Sequence, residues 1–344
     1  MLEFQKVVRE AELLPPPEFQ LETQSIEFRT DPLISTRTRI NVQRAGRLTE
    51  AKKVDLSDYI NKTREDCLFC PENIEKTTPL FVKDIWEEGR IKNRCYVLFP
   101  NRYPFGEYHA VGTLTDKHFL DLDEFPLEPI VDNLLACKEY VLTVYKKKGA
   151  RYPTWIWNHL PPSAASQVHP HTQIWIDTEP TNWTGALIKK SKEYFDKNKR
   201  SYWEDLVEKE KDRERWVGEN DSLAIIATFA PHGNREIQFI FKEASNLAEL
   251  SERQANDLVD CVLKTLKWYK EEGMNSFNLS TFSAGVDEKL NYYRLNVKMM
   301  SKPVFQPDYP YYTAYGGTVE LWHGEYVVDT LPENVAQKLK HIFR

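Results

Sequence analysis

Between Asn158 and Trp175 the chain reads Asn-His-Leu-Pro-Pro-Ser-Ala-Ala-Ser-Gln-Val-His-Pro-His-Thr-Gln-Ile-Trp. His169 and His171 are two residues apart, and side chains at that spacing in a strand share one face. Pro170 between them has no N–H to give to a ladder, so the pair stands at the start or edge of a strand. Two neighbouring imidazoles suit a core poorly. The plain alternative is one packed and one solvated ring; the chemical reading is one metal ligand and one nucleophile or base. A neutral imidazole, with its pKa near physiological pH, can attack an electrophilic phosphorus and leave again. Ser166 and Gln173 bracket the pair and offer hydrogen-bond donors to phosphoryl oxygens. Upstream, Cys67 and Cys70 have the two-residue gap that lets one turn present two thiolates to a tetrahedral zinc ion. Two more donors are required, from among His109, His118, His159, His169 and His171, and spacing alone does not choose between them.

These residues need strands and loops to hold them. Cys95–Phe99 is a short apolar run closed by Pro100-Asn101, and His109–Leu114 reads as its returning partner. Leu127–Lys147 carries apolar residues at helical spacing. Tyr152–Asn158 and Gln173–Asp177 are rich in β-branched and aromatic residues and read as strands flanking the histidine loop. The same order returns later: Leu223–Phe229 and Ile237–Phe241 as strands, Leu247–Glu272 as a helix, then Ser276–Thr281 and Tyr293–Met299 as strands. This predicts an α+β fold built by internal duplication, with antiparallel sheets and helices packed on one face. The expected division is residues 1–180, carrying the histidines and cysteines, and residues 181–344, a degenerate copy on the acceptor side. Strand-like patches precede the first unit at Ser25–Thr30 and Thr38–Gln43. The charged segment 183–215 reads as a solvated helix or inserted arm, and a short helix closes the chain at Pro332–Phe343.

The 344 residues include 46 Lys+Arg and 52 Asp+Glu, a net charge of −6, with 41% hydrophobic and 28% charged residues. This is the balance of a soluble globular protein, without the basic surplus of a nucleic-acid binder, although a few arginines can still hold a small phosphorylated ligand. No apolar run approaches the roughly 20 residues that cross a bilayer, and the N-terminus lacks the pattern of a secretory signal. The 5 cysteines are an odd, scattered set, which points to reduced thiols and a cytoplasmic location.

Taken together, Asn158-x10-His169-Pro-His171-x-Gln173 resembles the active-site signature of the galactose-1-phosphate uridylyltransferase family, in the histidine-triad superfamily. Other segments are similar to that family too: Asp31-Pro-Leu33 followed by Arg44 and Arg47; Cys67-Leu-Phe-Cys70-Pro-Glu-Asn with Thr78-Pro79; Val97-Leu-Phe-Pro-Asn101-Arg-Tyr103-Pro; His109-x8-His118; and Gly317-Thr-Val-Glu320-Leu with Leu331-Pro-Glu-Asn-Val-Ala. The resemblance implies one structural zinc on Cys67, Cys70, His118 and His169, and a nucleophilic His171 that becomes nucleotidylated. It implies further that Ser166 and Gln173 bind the transferring phosphoryl group with Asn158 nearby, that Asn101 and Tyr103 hold the nucleoside, that Arg44 and Arg47 lie close to the phosphates, and that Glu320 reads the acceptor. The implied activity is a two-step transfer of UDP-glucose:hexose-1-phosphate uridylyltransferase type, from a nucleotide-sugar donor to a small anionic acceptor, in a homodimer that engages neither nucleic acid nor membrane.

The chain departs from this pattern in three places. Tyr293-Arg-Leu-Asn296-Val stands where a second His-x-His would fall, so one metal is expected. Leu160, Pro161, Pro162 and Ala164 occupy a loop where the family commonly has glycines, and Ala is expected to remove freedom at positive φ. Glu320-Leu-Trp-His-Gly-Glu-Tyr326 keeps the glutamate without the polar residues that follow it. The third departure keeps open an adenylyltransferase or phosphorylase that moves AMP from an ADP-sugar or adenylylsulfate to phosphate. A non-catalytic, zinc-stabilised nucleotide sensor is the reading outside enzymology. The aromatic cluster Tyr309–Tyr315 reads chiefly as packing at a domain or subunit contact.

Overall fold

A computed structural model describes residues 2–45, 54–93, 96–308 and 317–343. Arg47, Cys95 and the cluster Tyr309–Tyr315 lie outside the described residues. In chain order the strands are β1 (Gln5–Leu13), β2 (Glu22–Thr30), β3 (Arg37–Asn41), β4 (Ile91–Lys92), β5 (Val97–Pro100), β6 (Tyr108–Thr113), β7 (Tyr152–His159), β8 (His171–Asp177), β9 (Trp216–Glu219), β10 (Leu223–Ala227), β11 (Ile237–Phe241), β12 (Phe277–Phe282), β13 (Asn296–Ser301) and β14 (Glu325–Val328). The helices are α1 (Val42–Ala45), α2 (Ser57–Glu65), α3 (Pro71–Thr77), α4 (Leu127–Lys148), α5 (Asn182–Asn198), α6 (Tyr202–Glu210), α7 (Glu252–Glu271), α8 (Thr318–His323) and α9 (Pro332–Leu339).

The main sheet has ten strands in the order β4-β5-β6-β8-β7-β12-β13-β11-β10-β9, with antiparallel neighbours throughout. Its centre is the β7–β12 pair, where Asn158 lies opposite Asn278 and Trp157 opposite Leu279. Outward from that pair the same path is traced twice, β7-β8-β6-β5 in one direction and β12-β13-β11-β10 in the other. The expected duplication is therefore present as two units meeting edge to edge in one sheet. A second, four-stranded sheet has the order β1-β2-β3-β14, with β14 parallel to β3.

Side-chain alternation divides the main sheet into two unlike faces. On one, Trp155, Trp157, Ile174, Ile176, Phe277, Leu279, Val297, Met299, Phe239 and Ile225 join α4 and α7 in the principal core. In α4, Ile130, Leu134, Cys137, Val141 and Val144 repeat at three- and four-residue intervals and are buried, the spacing that gives one helix face. Gly149 ends that helix at φ +80°, with its N–H on the Tyr145 carbonyl at 2.9 Å, a conformation glycine adopts without strain. In α7, Ser251 accepts from the Gln254 backbone and the Gln254 side chain returns the bond. This capping box starts the helix at Glu252, after a separate turn at Leu247–Glu249.

On the opposite face, the row Gln173–Ile156–Ser280–Lys298–Gln238 runs across five strands and is mostly polar. The charged segment 183–215 folds as α5 and α6 and covers the second half of this face, where Leu187, Tyr202, Trp203 and Leu206 pack on Ala224, Ile226 and Ile240. The first half of the face stays open to the histidine loop. Among the described residues no helix is long and apolar enough to cross a membrane.

Candidate active site and metal centre

Cys67 follows α2, Cys70 caps α3 ahead of Pro71, His118 lies beyond β6, and His169 stands two residues before the start of β8. Their ligand atoms all lie within 4.8 Å of one another and all four residues are buried. Cys67 Sγ and Cys70 Sγ are each 3.7 Å from His169 Nδ1, and Cys70 Sγ is 3.5 Å from His118 Nδ1. A tetrahedral zinc with ordinary bond lengths separates sulfur and nitrogen ligands by about 3.5 Å, so the donor set fits the ion. The outer nitrogens are also spoken for: His169 Nε2 is 2.8 Å from the Thr115 carbonyl and His118 Nε2 is 3.1 Å from Thr63 Oγ1. Those acceptors place the ring proton on Nε2 and leave both Nδ1 lone pairs turned inward. The Phe69 N–H donates to Cys67 Sγ at 3.4 Å. Burial, and after it the adjacent Cys67, pushes the Cys70 thiol up to about 12; a cation between the two sulfurs is what would ionise them.

Spacing alone left five histidines open as ligands and the resemblance named His118 and His169; the fold brings together that set. His118 and His169 join the cysteines. His159 is sealed in the core, stacked on Phe277 at 5.5 Å, and its pKa falls to about 3 through burial. His109 belongs to another network, described below.

His171 is the first residue of β8, two positions after His169. Its Nδ1 lies 2.8 Å from the His169 carbonyl, so Nδ1–H donates and the Nε2 lone pair is the one presented. The ring is buried and packs edge-on against Phe69 at 5.4 Å. Burial holds its pKa below the ordinary imidazole value. A neutral, oriented nitrogen beside a Cys2His2 cluster is equipped for nucleophilic attack.

Gln173, two residues along the same face, is held by a residue whose role the sequence did not reveal. His109 Nδ1 accepts the Phe105 N–H at 3.1 Å, so its Nε2 donates to Gln173 Oε1 at 2.8 Å. Asn101 Nδ2 lies 3.5 Å from the same oxygen. With its oxygen engaged, Gln173 has its amide N–H groups left to offer. Asn101 also accepts the Tyr103 N–H at 2.9 Å, and Tyr103 and Phe105 are 73% and 90% exposed, leaving two aromatic side chains in solvent.

The loop between β7 and β8 carries Ser166, which is exposed and lines a cleft of about 620 Å³ together with Tyr59, Lys62, Thr63 and His118. Contrary to the expectation that alanine removes positive-φ freedom here, Ala164 has φ +69° and Leu160 φ +65°. The bonds from Ser163 N and Oγ to the Leu160 carbonyl, at 3.0 and 2.7 Å, and from Ala164 N to the Pro161 carbonyl, at 2.9 Å, hold the turn there. The loop thus keeps a glycine-like path at some cost in strain.

Asn158 is fixed from the second half of the chain. Asn278 Nδ2 donates to Asn158 Oδ1 at 2.6 Å and to the Ser163 carbonyl at 2.8 Å. Sequence reading missed Asn278. The available signal was its place in the repeat, on the strand that corresponds to the one bearing Asn158.

Arg44 and Glu320 are elsewhere. Arg44 is exposed and paired with Asp329 at 2.7 Å, and Glu320 lies on α8, within the electrostatic influence of Lys302 and Tyr326. Within one chain neither hydrogen-bonds to His171, Gln173 or Asn158.

No family model matches the chain. An uncharacterised protein of Archaeoglobus fulgidus is 30% identical over 346 residues, covering 99% of each chain. Among solved structures, an ADP-glucose phosphorylase of Arabidopsis thaliana with bound ADP-glucose is 19% identical with a TM-score of 0.71, over 92% of this chain and 98% of that one. A galactose-1-phosphate uridylyltransferase-like protein of the same plant is 18% identical with a TM-score of 0.69, covering 92% and 99%. A uridylyltransferase is 22% identical with a TM-score of 0.67, covering 92% and 98%. At these identities the likeness is one of fold, and it is the fold that the motifs had implied.

Proposed function

The chain belongs to one family with the Archaeoglobus fulgidus protein, and on the uridylyltransferase fold that it carries we propose a nucleotidyltransferase working through a covalent intermediate on His171. The carrying observation is the 2.8 Å bond from His171 Nδ1 to the His169 carbonyl, which leaves Nε2 as the free nitrogen. In the first half-reaction Nε2 attacks the α-phosphorus of a nucleotide donor. The P–N bond forms while the bond to the bridging oxygen breaks, and the departing anion takes that electron pair. In the second, another anion attacks the same phosphorus and His171 leaves neutral. Splitting the transfer avoids bringing two anions together on one phosphorus.

In this reading Gln173 and Ser166 donate to the phosphoryl oxygens as charge builds there, Asn158 lies beside them, and Asn101 and Tyr103 receive the nucleoside. A zinc ion on Cys67, Cys70, His118 and His169, with no ligand position left over, supplies structural rigidity to the turn that aims His171. Arg44, Arg47 and Glu320 are assigned to the phosphate and acceptor side, as the resemblance implies, in a cytoplasmic homodimer. Residues 1–180 and 181–344 divide the labour, the first holding the nucleophile and the second the acceptor side.

The donor we propose first is a UDP-hexose with hexose 1-phosphate as acceptor. Adenylyl transfer to phosphate is the second reading. It is favoured by Trp322, which follows Glu320 closely and is 83% exposed where a sugar-reading segment would be polar, and by the ADP-glucose bound to the plant phosphorylase. Incubation with UDP-glucose or ADP-glucose labelled at the α-phosphorus tests both. An acid-labile, base-stable label on the protein that is absent from His171→Asn is expected, and the donor that labels identifies the base. No label from either donor, nor from adenylylsulfate, would overturn the enzymatic reading in favour of a nucleotide sensor.

A further inference from the structure

β1 is a nine-residue strand paired along its whole length with β2. It is the outer strand of its sheet, so its other edge offers a row of backbone N–H and C=O groups without a strand partner among the described residues. All but one of its residues are exposed. Val7 and Val8 point to opposite faces and are 47% and 50% exposed. Lys6, Val8 and Glu10 lie on the face where β2 buries Glu27 and Arg29, so even the inward side of β1 is not covered by the body of the protein. Around the turn that follows, Leu14, Phe19 and Leu21 are 58%, 62% and 67% exposed. A long, bare edge of this kind is a template for another strand.

We propose that β1 pairs antiparallel with β1 of a second copy of this chain, about a two-fold axis at Val8, joining the two small sheets into one. The proposal rests on the homodimer included in the functional reading above and locates its interface. Such an axis runs perpendicular to the sheet and keeps every side chain on its own face, so the axis must pass through a residue. Centred on Val8, the register sets Val8 against Val8, Lys6 against Glu10 twice, Val7 against Arg9 and Gln5 against Ala11. Centred on Arg9 it would stack Arg9 on Arg9, and centred on Glu10 it would stack Glu10 on Glu10, both destabilising across a ladder. Centred on Val7, Lys6 faces Val8 and no opposite charges meet within the strand. The Val8 register alone pairs opposite charges without opposing like ones. Lys6 already lies across the strand, 3.1 Å from Glu27 Oε1, where an incoming Glu10 would share it.

Sedimentation velocity of the full chain at micromolar concentration tests this. The wild type is expected at twice the chain mass. Lys6→Glu and Glu10→Lys each turn two attractions into two repulsions and should weaken the dimer by about tenfold or more. An equimolar mixture of the two variants should recover a dimer containing one chain of each, because the reversed charges then face one another. Val8→Lys, which sets two ammonium groups together at the axis, should also dissociate it. His171 labelling serves as the control that each variant is folded. A dimer that persists unchanged in all three variants would overturn the interface and leave the homodimer standing; a wild-type monomer would overturn both, while the nucleophilic role of His171 is tested separately by its covalent labelling.

Discussion

The two repeats use the same turn to opposite ends. In the first, His171 Nδ1 donates to the carbonyl two residues back at 2.8 Å; in the second, Asn296 Nδ2 donates to the Arg294 carbonyl, also two back, at 3.1 Å. The difference lies in the atom that remains. His171 keeps Nε2 for a ligand, whereas Asn296 Oδ1 accepts from Gln238 Nε2 at 3.0 Å and is used up. The next pair along the face repeats the lesson. Gln173 is held by His109 with its amide nitrogen to spare, while the register-equivalent Lys298 is held by Glu236 at 2.9 Å. Glu236 is buried; burial alone would raise its pKa, but Lys298 and then His232 hold it below the ordinary carboxylate range. One repeat leaves the outer nitrogen of His171 and the amide nitrogen of Gln173 open, as the proposed chemistry needs. The other closes Asn296 and Lys298 on protein partners, since a buried polar atom left unpaired costs stability.

That comparison can be broken most directly at His171. His171→Asn gives the first turn the second turn's side chain; turnover and covalent labelling should fall by about 10⁴-fold or more, with bound metal unchanged by elemental analysis. A labelled or active variant would show that the open nitrogen is not the nucleophile. Next in size is the cluster, which the second repeat lacks a counterpart for among the described residues. Metal analysis should find about one zinc per chain, and Cys67→Ser or chelation should lower unfolding free energy by about 3 kcal/mol or more. Two metals per chain would mean that the second repeat is not purely supportive.

The charges that tie the N-terminal sheet to the second half make a subtler test. Glu333 on α9 is hydrogen-bonded by Arg29 at 2.9 Å through two nitrogens and paired with Arg215 at 3.0 Å. Burial opposes its ionisation, yet Arg29 above all pulls its pKa from 4.5 to about 2. A depressed carboxylate stabilises fully above its unfolded pKa and loses that contribution as pH falls through the folded value. Glu333→Gln should therefore cost about 2–3 kcal/mol at neutral pH, and the gap from wild type should close between about pH 4.5 and pH 2 in chemical denaturation. A gap independent of pH would assign the loss to packing instead.

The smallest effect sharpens the link between the halves. Asn278→Ala should lower turnover by about 10-fold through Asn158, with zinc content retained. Adding it to Asn158→Ala should then change little further. Additive losses would mean that Asn278 acts independently of Asn158.

Much of this architecture could be read from residue order. The helical spacing in α4 and the apolar, β-branched and aromatic runs of β7, β10, β11 and β12 placed those elements within a few residues, because each buries a face on the same core. β1 escaped notice because a strand exposed on both faces has no hydrophobic alternation to detect. The segment 183–215 left its structure open for a related reason: only a few spaced aromatics and aliphatics, Tyr202, Trp203 and Leu206 among them, are buried beneath many solvated charges. The second repeat's strand began at Asn296 and not at Tyr293, since Tyr293 is buried in the second core beneath the helical arm.

At the site the division is sharper. Residue types alone established that this chain carries a paired histidine motif, a thiolate pair and their polar companions, because those chemistries depend on which atoms are present. Which nitrogen of His171 stays open, and that His109 and Asn278 steady the residues beside it, were decided only by tertiary structure; spacing left the histidine ligands open too, and only the family resemblance named them. A hydrogen bond is satisfied across ångströms of space and not along the chain: Asn278 reaches Asn158 over 120 positions of sequence at 2.6 Å, a proximity created by the pairing of β7 with β12.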